Sequence, residues 1–462
     1  MGLPPTEHIS FLSFLVVPEL NTHPAYPLLC FAVVLKQLFE TIPVPKSYIA
    51  DMRIRLALLL SVMFITSGLA RTADLALTGA KIYTSPTDPP IENGSIVIRE
   101  GLILSVGPSS TVKIAHSATV IDCKGLVVTA GFWNSHVHIL APALLHIQDS
   151  DARKLDQELD TIFNRWGFTT VFDIASVLDN TLALRRRIES GELRGPRILT
   201  VGEPIWMIEP VYVRDFLRQN HIHIENTQSP EQAIALVRAH AAKGANGIKL
   251  FTGSDQGHGQ VALLPLATAK AAVDEAHRHG MPVFAHPTNV DGMRIAIDSG
   301  VDVLAHTVPE SPPWTSEFAG QLKGANLSLI PTLTLFDVEA RRQNVPDQQR
   351  TAFVAQMVDQ LRAYSETGGD ILFGTDIGYT DHYDTTLEFT LMSQAGMNYK
   401  QILASLTTNP ARRFGDSDRT GRIAKDMKAD LVVLSADPAQ DVTAFSKVRF
   451  TIRNGKVVYK EK

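Results

Sequence analysis

The 462-residue chain is long enough for one large α/β barrel and a smaller second unit. Its 45% hydrophobic and 20% charged residues are ordinary for a globular protein. A formal charge of −5 gives no electrostatic case for nucleic acid or an anionic membrane as partner, and the two cysteines, Cys30 and Cys123, exclude a disulfide framework and a cysteine-rich zinc site.

Residues 1–70 stand apart from the rest. Met52-Arg53-Ile54-Arg55 is a basic start, followed by an apolar run from Leu56 to Leu69 and a small-residue end at Ala70. That order is a secretory signal peptide over about residues 52–70, and the run is shorter than the roughly 20 residues of a spanning helix. Residues 1–51 then read as an over-long N-terminal extension, and the mature chain starts near Arg71, periplasmic or secreted, with no membrane contact after signal removal. The other reading is a membrane-associated extension over residues 10–39, which are apolar but broken by Pro18, Pro24, Pro27 and Lys36.

Next come short strands with turn residues between them: residues 74–78, 81–83, 94–99, 102–106 and 119–122. The same texture returns at residues 429–434, 448–453 and 456–459, where Asn454-Gly455 signals a type I′ hairpin. Two β-rich ends predict one small β-sandwich built from residues 71–130 and 420–462. Between them, over residues 131–419, strands alternate with helices, which predicts a parallel sheet. Three helices are well punctuated: from Ser229-Pro230-Glu231 to Gly244, from Ala267 to Gly280, and from Gly292 to Gly300. Eight strand candidates fill this middle, namely the run before His136 and residues 169–173, 197–201, 247–251, 282–286, 301–306, 327–331 and 371–376. From His136 to Asp376 the chain has the length of a (β/α)8 TIM barrel, roughly 250 residues.

His136-Val137-His138 closes the first apolar run, and side chains alternate along a strand, so both imidazoles point the same way and can chelate one ion. Later strands end in Lys249, His286, His306 and Asp376. In a (β/α)8 barrel such ends converge on one face. A second H-x-H, His221-Ile222-His223, leads into a polar stretch and is expected in a surface loop.

With these residues in strand order, the chain resembles the amidohydrolase superfamily over about residues 73–460, and specifically its two-metal branch with a carboxylated lysine. Residues 402–411 and 420–431 resemble the superfamily's closing helix and its return to the sandwich. The resemblance implies two divalent metal ions: His136, His138 and Asp376 on one, His286 and His306 on the other, and Lys249 bridging as a CO2-derived carbamate. It implies attack by a metal-bridging hydroxide, with Asp376 as the catalytic residue moving the proton to the leaving amine. Zinc suits this ligand set, and manganese, cobalt or iron could also occupy it. The superfamily's usual aspartate two places before the first histidine is Asn134 here. Deaminating relatives carry H-x-x-E after the fifth strand, but His286-Pro287-Thr288-Asn289 has no acid.

The implied function is hydrolysis of a C–N amide bond in a small molecule, a dipeptide or N-acyl amino acid as in Xaa-Pro or Xaa-Arg dipeptidase-like relatives. A one-metal deaminase or cyclic-imide hydrolase and a non-catalytic binding protein are the alternatives, and a homo-oligomer is left open. Specificity is expected in the loops after the strands. Arg214, His258, Tyr379 and His382 are the substrate-binding candidates there, Arg214, Tyr379 and His382 for a substrate carboxylate or oxyanion.

Overall fold

The structure, a computed structural model, describes residues 74–462. The expected signal peptide and N-terminal extension lie outside the described residues.

Among the described residues, eighteen strands run in chain order. β1 (Leu75–Ile82), β2 (Ile91–Arg99), β3 (Leu102–Pro108), β4 (Thr119–Asp122) and β5 (Val127–Ala130) come first. β6 (Phe132–Val137), β7 (Phe168–Asp173), β8 (Arg197–Thr200) and β9 (Ile248–Phe251) follow. β10 (Gly253–Asp255) and β11 (Val261–Leu263) form a hairpin; then come β12 (Val283–His286), β13 (Val303–Ala305), β14 (Ser328–Ile330) and β15 (Asp370–Ile371). β16 (Leu431–Leu434), β17 (Val448–Arg453) and β18 (Lys456–Lys460) end the chain.

The two chain ends share one eight-stranded sheet in the order β18-β17-β16-β5-β1-β2-β3, with β4 paired to β1. The first two expected strands are one: β1 continues through Gly79, whose φ of 76° accompanies a shift in register between Thr78 and Ala80. Leu77, Ile96, Val128, Leu431 and Ile452 form the buried side of this sheet.

Eight parallel strands make the middle of the fold: β6-β7-β8 in one array and β9-β12-β13-β14-β15 in the other. Parallel bridges join the arrays at both seams, Ile205 to Leu250 and Val137 to Ile377. The eighth strand is shorter than the sequence predicts. Beyond Ile371 the chain stays tied in place as Leu372 N donates to Leu329 O, Ser135 N to Phe373 O and Asp376 N to His136 O. This is a TIM-barrel-like α/β arrangement. Helices Pro230–Lys243, Leu266–Arg278 and Val290–Ser299 sit where the caps predict, each followed by a left-handed glycine or a turn before the next strand. Phe172, Phe284 and Ile330 pack between the strands with Phe414 beneath them, so the interior is filled.

The apolar run before the H-x-H serves both parts of the fold. β5 belongs to the terminal sheet and β6 to the parallel array, and Gly131 is the join. A Cβ there would meet Thr169 Oγ1 at 2.2 Å, which only glycine avoids, while Gly131 N donates to Asp430 O.

Candidate metal centre

Each ligand candidate reaches the site because a strand ends beside it. β6 delivers His136 and, just past its end, His138; β9 delivers Lys249, β12 His286, β13 His306, and the chain beyond β15 Asp376. His306 and Asp376 sit at φ 76° and 60°, left-handed conformations that cost a non-glycine residue of order 1–3 kcal/mol. The chain turns sharply at these two residues, and the turn aims their side chains inward.

All six meet in one cluster. Asp376 Oδ1 lies 3.2 Å from His136 Nε2 and 2.8 Å from His138 Nε2. The His136 ring centroid is 5.2 Å from that of His138 and 4.5 Å from that of His306, and His286 lies 4.8 Å from His306. Lys249 Nζ stands 5.6 Å over the Phe251 ring, which stacks on His286 at 4.7 Å.

Two imidazoles are oriented from behind. His138 Nδ1 faces Ala175 O at 2.7 Å and His306 Nδ1 faces Thr332 Oγ1 at 2.7 Å, so in each the Nε2 edge is left for the cluster. Asn134, in the place where relatives carry aspartate, has a structural task. Its amide donates to Thr375 Oγ1 at 2.7 Å and its carbonyl accepts from His136 N at 3.2 Å, tying the first strand to the residue before Asp376.

The donor set suits a divalent cation. His136 Nδ1 and Nε2 and Asp376 Oδ1 are buried without a hydrogen-bond partner: the 3.2 Å approach of His136 to Asp376 lacks hydrogen-bonding geometry. Ligand atoms of His136, His306 and Asp376 lie within 4.8 Å of one another. Unpaired buried polar atoms of this kind cost about 1–3 kcal/mol each unless something binds them. Burial depresses His136 to about 3 and holds His286 and His306 well below the usual imidazole range, so these rings are neutral and their lone pairs free. Burial alone would raise the Asp376 carboxyl, but His136 and His138 outweigh it and hold Asp376 well below the usual carboxylate range. Burial brings the Lys249 ammonium down to about 7 against the weaker opposing pull of Asp376.

Above the cluster opens a cavity of about 530 Å³. Tyr379 lines it, 5.5 Å from Tyr212, whose hydroxyl is 3.4 Å from His286 Nε2. The other substrate candidates are not brought there. Arg214 is held by the Glu209 carbonyl at 3.2 Å and by the Gln256 side chain, on the far side of its helix, Val211–Gln219. His258 is exposed at the tip of the β10–β11 hairpin, and His382 is exposed beside Asp381. His221 and His223 are exposed, in the surface loop expected of them. Sequence reasoning covered Tyr212 only as part of the loop after the third strand, where specificity was expected, and missed the apolar face of Val211–Gln219. Its signal was the helical spacing of Val213, Phe216 and Leu217.

Comparison with known proteins gives the chain a family. The Amidohydrolase family model matches residues 127–458. The chain is similar to a dihydroorotase of Clostridium acetobutylicum, 22% identical over 77% of this chain and 92% of that protein. It is similar also to a 5′-deoxyadenosine deaminase of Methanosarcina mazei, 26% identical over 84% of this chain and 93% of that protein. Among solved structures, a Xaa-Pro dipeptidase with bound methionine in the active site shares the fold, with a TM-score of 0.72, 24% identity and coverage of 84% and 100% of the two chains. With the family match running from β5 through the whole cluster into β18, the chain belongs to the amidohydrolase family and is a hydrolase acting on carbon–nitrogen bonds.

Proposed function

We propose that this protein hydrolyses the C–N bond of an amide at two divalent ions held in a closed (β/α)8 barrel, flanked by a β-sandwich of residues 71–130 and 420–462. The observation that carries this reading is the convergence of neutral, buried imidazoles and an ionised carboxylate, with His136 Nε2 and Asp376 Oδ1 lacking a hydrogen-bond partner among the described residues. His136, His138 and Asp376 would hold one ion and His286 and His306 the other. Divalent ions supply Lewis acidity and lower the pKa of water, making hydroxide available near neutral pH.

The chain's own residues account for the rest. Among the described residues Lys249 makes no ion pair, and the Asp376 carboxylate lies against His136 and His138 instead. Its depressed pKa leaves a large neutral fraction at neutral pH. A neutral amine attacks CO2 through its nitrogen lone pair and loses a proton, and the resulting carbamate offers two anionic oxygens where an ammonium would repel cations. Asp376 takes the proton of the attacking water and passes it to the leaving amine nitrogen, which needs it in order to depart.

Deamination is the less favoured reading. Asn289, where deaminating relatives are expected to carry a proton-shuttling glutamate, accepts from Gly292 N at 2.9 Å and caps helix Val290–Ser299. The sequence reading placed the amide in a dipeptide or N-acyl amino acid, a narrower class that depends on a partner for the substrate carboxylate. The test is elemental mass spectrometry of the full chain, expressed with bicarbonate. Two ions per chain are expected. One ion would favour one-metal chemistry, and none after metal is supplied would end the catalytic reading. His286→Ala is expected to abolish turnover, and retained turnover would remove the two-metal mechanism.

A further inference from the structure

The walls of the cavity differ sharply from its floor. Apart from the ligand cluster at the bottom, the side chains facing it are mainly aliphatic and aromatic, with Phe216, Leu217, Ile222 and Ile224 on one side and Phe336 and Phe353 on the other. Ile208, Val211 and Tyr212 are exposed by more than a third in and just before the same helix, Val211–Gln219, and carry the apolar surface outward. The charged residues above the floor are acidic: Asp255, Glu310 and Glu339. Among the described residues no arginine lines the cavity, and Lys249, the one lysine that does, lies buried within the ligand cluster. Two guanidiniums close by are already engaged: Arg214 by Glu209 and Gln256, and Arg342, which stands 5.9 Å over the Tyr379 ring, by Glu339 and Asp381 at 3.0 Å each.

Building on the hydrolytic reading, we propose that the cavity selects an uncharged amide carrying a bulky alkyl or aryl group and discriminates against an amide bearing a free carboxylate. An apolar group entering here displaces water from apolar walls and gains in proportion to the area it buries. A carboxylate entering the space above the floor loses hydration, finds no guanidinium or ammonium among the described lining residues there to replace it, and meets Asp255 and Glu310 besides Glu339, which Arg342 already pairs. The volume is within the usual range for a small organic ligand, roughly 300–1,000 Å³.

The experiment uses metal-loaded full-length protein and two probes alike in size: octananilide, and 4-(octanoylamino)benzoate, which adds only a carboxylate. Both kcat/KM and calorimetric Kd are measured. A preference of about tenfold or more for octananilide is expected in each. Equal values, a preference for the benzoate, or failure of octananilide to bind would overturn the proposal. If octananilide binds about tenfold tighter but neither probe is cleaved, the preference stands and the hydrolytic reading fails for these amides. A second variant reads the wall itself. Phe216→Asp, at a half-buried position, is expected to lower the ratio of octananilide to acetanilide in kcat/KM about tenfold. An unchanged ratio would remove that helix from the recognition of the apolar group.

Discussion

Thr332 keeps its backbone at φ 46°, a left-handed conformation that is unfavourable for a β-branched residue. The conformation places its hydroxyl 2.7 Å from His306 Nδ1, and the helix Leu333–Arg342 begins at the next residue. The hydroxyl fixes the ring plane and leaves Nε2 free for the cluster, so its removal should loosen metal binding rather than unfold the protein. Thr332→Ala is expected to weaken metal affinity about 10- to 100-fold in competition with a chelator, and Thr332→Ser to restore most of it. Equal loss in both variants would assign Thr332 to the backbone turn alone. Glu388 gives a second test at this scale. It is buried and accepts from Leu333 N at 2.9 Å and Thr334 N at 2.7 Å, capping the same helix from a distant part of the chain. Burial raises its pKa to about 7, against those two hydrogen bonds, from an ordinary value of 4.5. A folded pKa above the unfolded one means stability that is complete below about pH 4.5 and lost as pH rises through 7, on the order of 3 kcal/mol at most. The Tm of the native protein should therefore fall relative to Glu388→Gln between pH 4.5 and 7. Parallel curves would mean that Glu388 stays ionised throughout.

At the scale of elements, Gly131 separates the two sheets, and its replacement is a test of how tightly they join. In Gly131→Ala the new methyl would press on the buried side chain of Thr169, and overpacking of this kind costs typically about 1–3 kcal/mol. Thermal melts should show that loss, and Gly131→Ala with Thr169→Gly should recover part of it. No recovery would mean that the backbone at 131, and not the contact, sets the cost. Much of this level was legible in the sequence because the signals are local. Ser229-Pro230 and Gly244 bound a helix, and apolar runs ending in His or Asp mark the strands that carry a ligand, apart from β9, where Lys249 lies inside the run. The join at Gly131 was not legible, since one uninterrupted apolar run feeds two sheets and nothing local says where it divides. The cavity wall was hidden for a related reason. Helix Val211–Gln219 buries no residue fully, so its apolar stripe faces a ligand space rather than a core. The substrate candidates Arg214, His258 and His382 show the limit most plainly: a surface side chain's direction depends on tertiary partners, such as Gln256 for Arg214 on its helix, which no spacing in the sequence reveals.

At the largest scale, the described residues are braced where the terminal sheet meets the parallel arrays. Thr451 Oγ1 donates to Asn164 O at 2.6 Å, Arg453 Nη1 to Gly195 O at 3.3 Å with Glu189 also on that guanidinium, and Gly131 N to Asp430 O at 2.7 Å. Chain ends far apart in sequence thus hold the helices and strands that follow β6. Their side chains also pack continuously, Phe445 against Phe132 and Phe389. Parts that share this much buried surface should unfold together, and a ligand bound to one part should stabilise both. Metal binding at the cluster is expected to raise the entire transition. At free metal about 100 times Kd the gain is roughly 2.7 kcal/mol, which amounts to a few degrees in Tm for a chain of this size. Calorimetry before and after treatment with a chelator should show one peak moving down as a unit. Two peaks, only one of which responds to chelation, would mean that the terminal sheet folds independently of the metal centre and that the contacts at Asn164, Gly195 and Asp430 do not couple them.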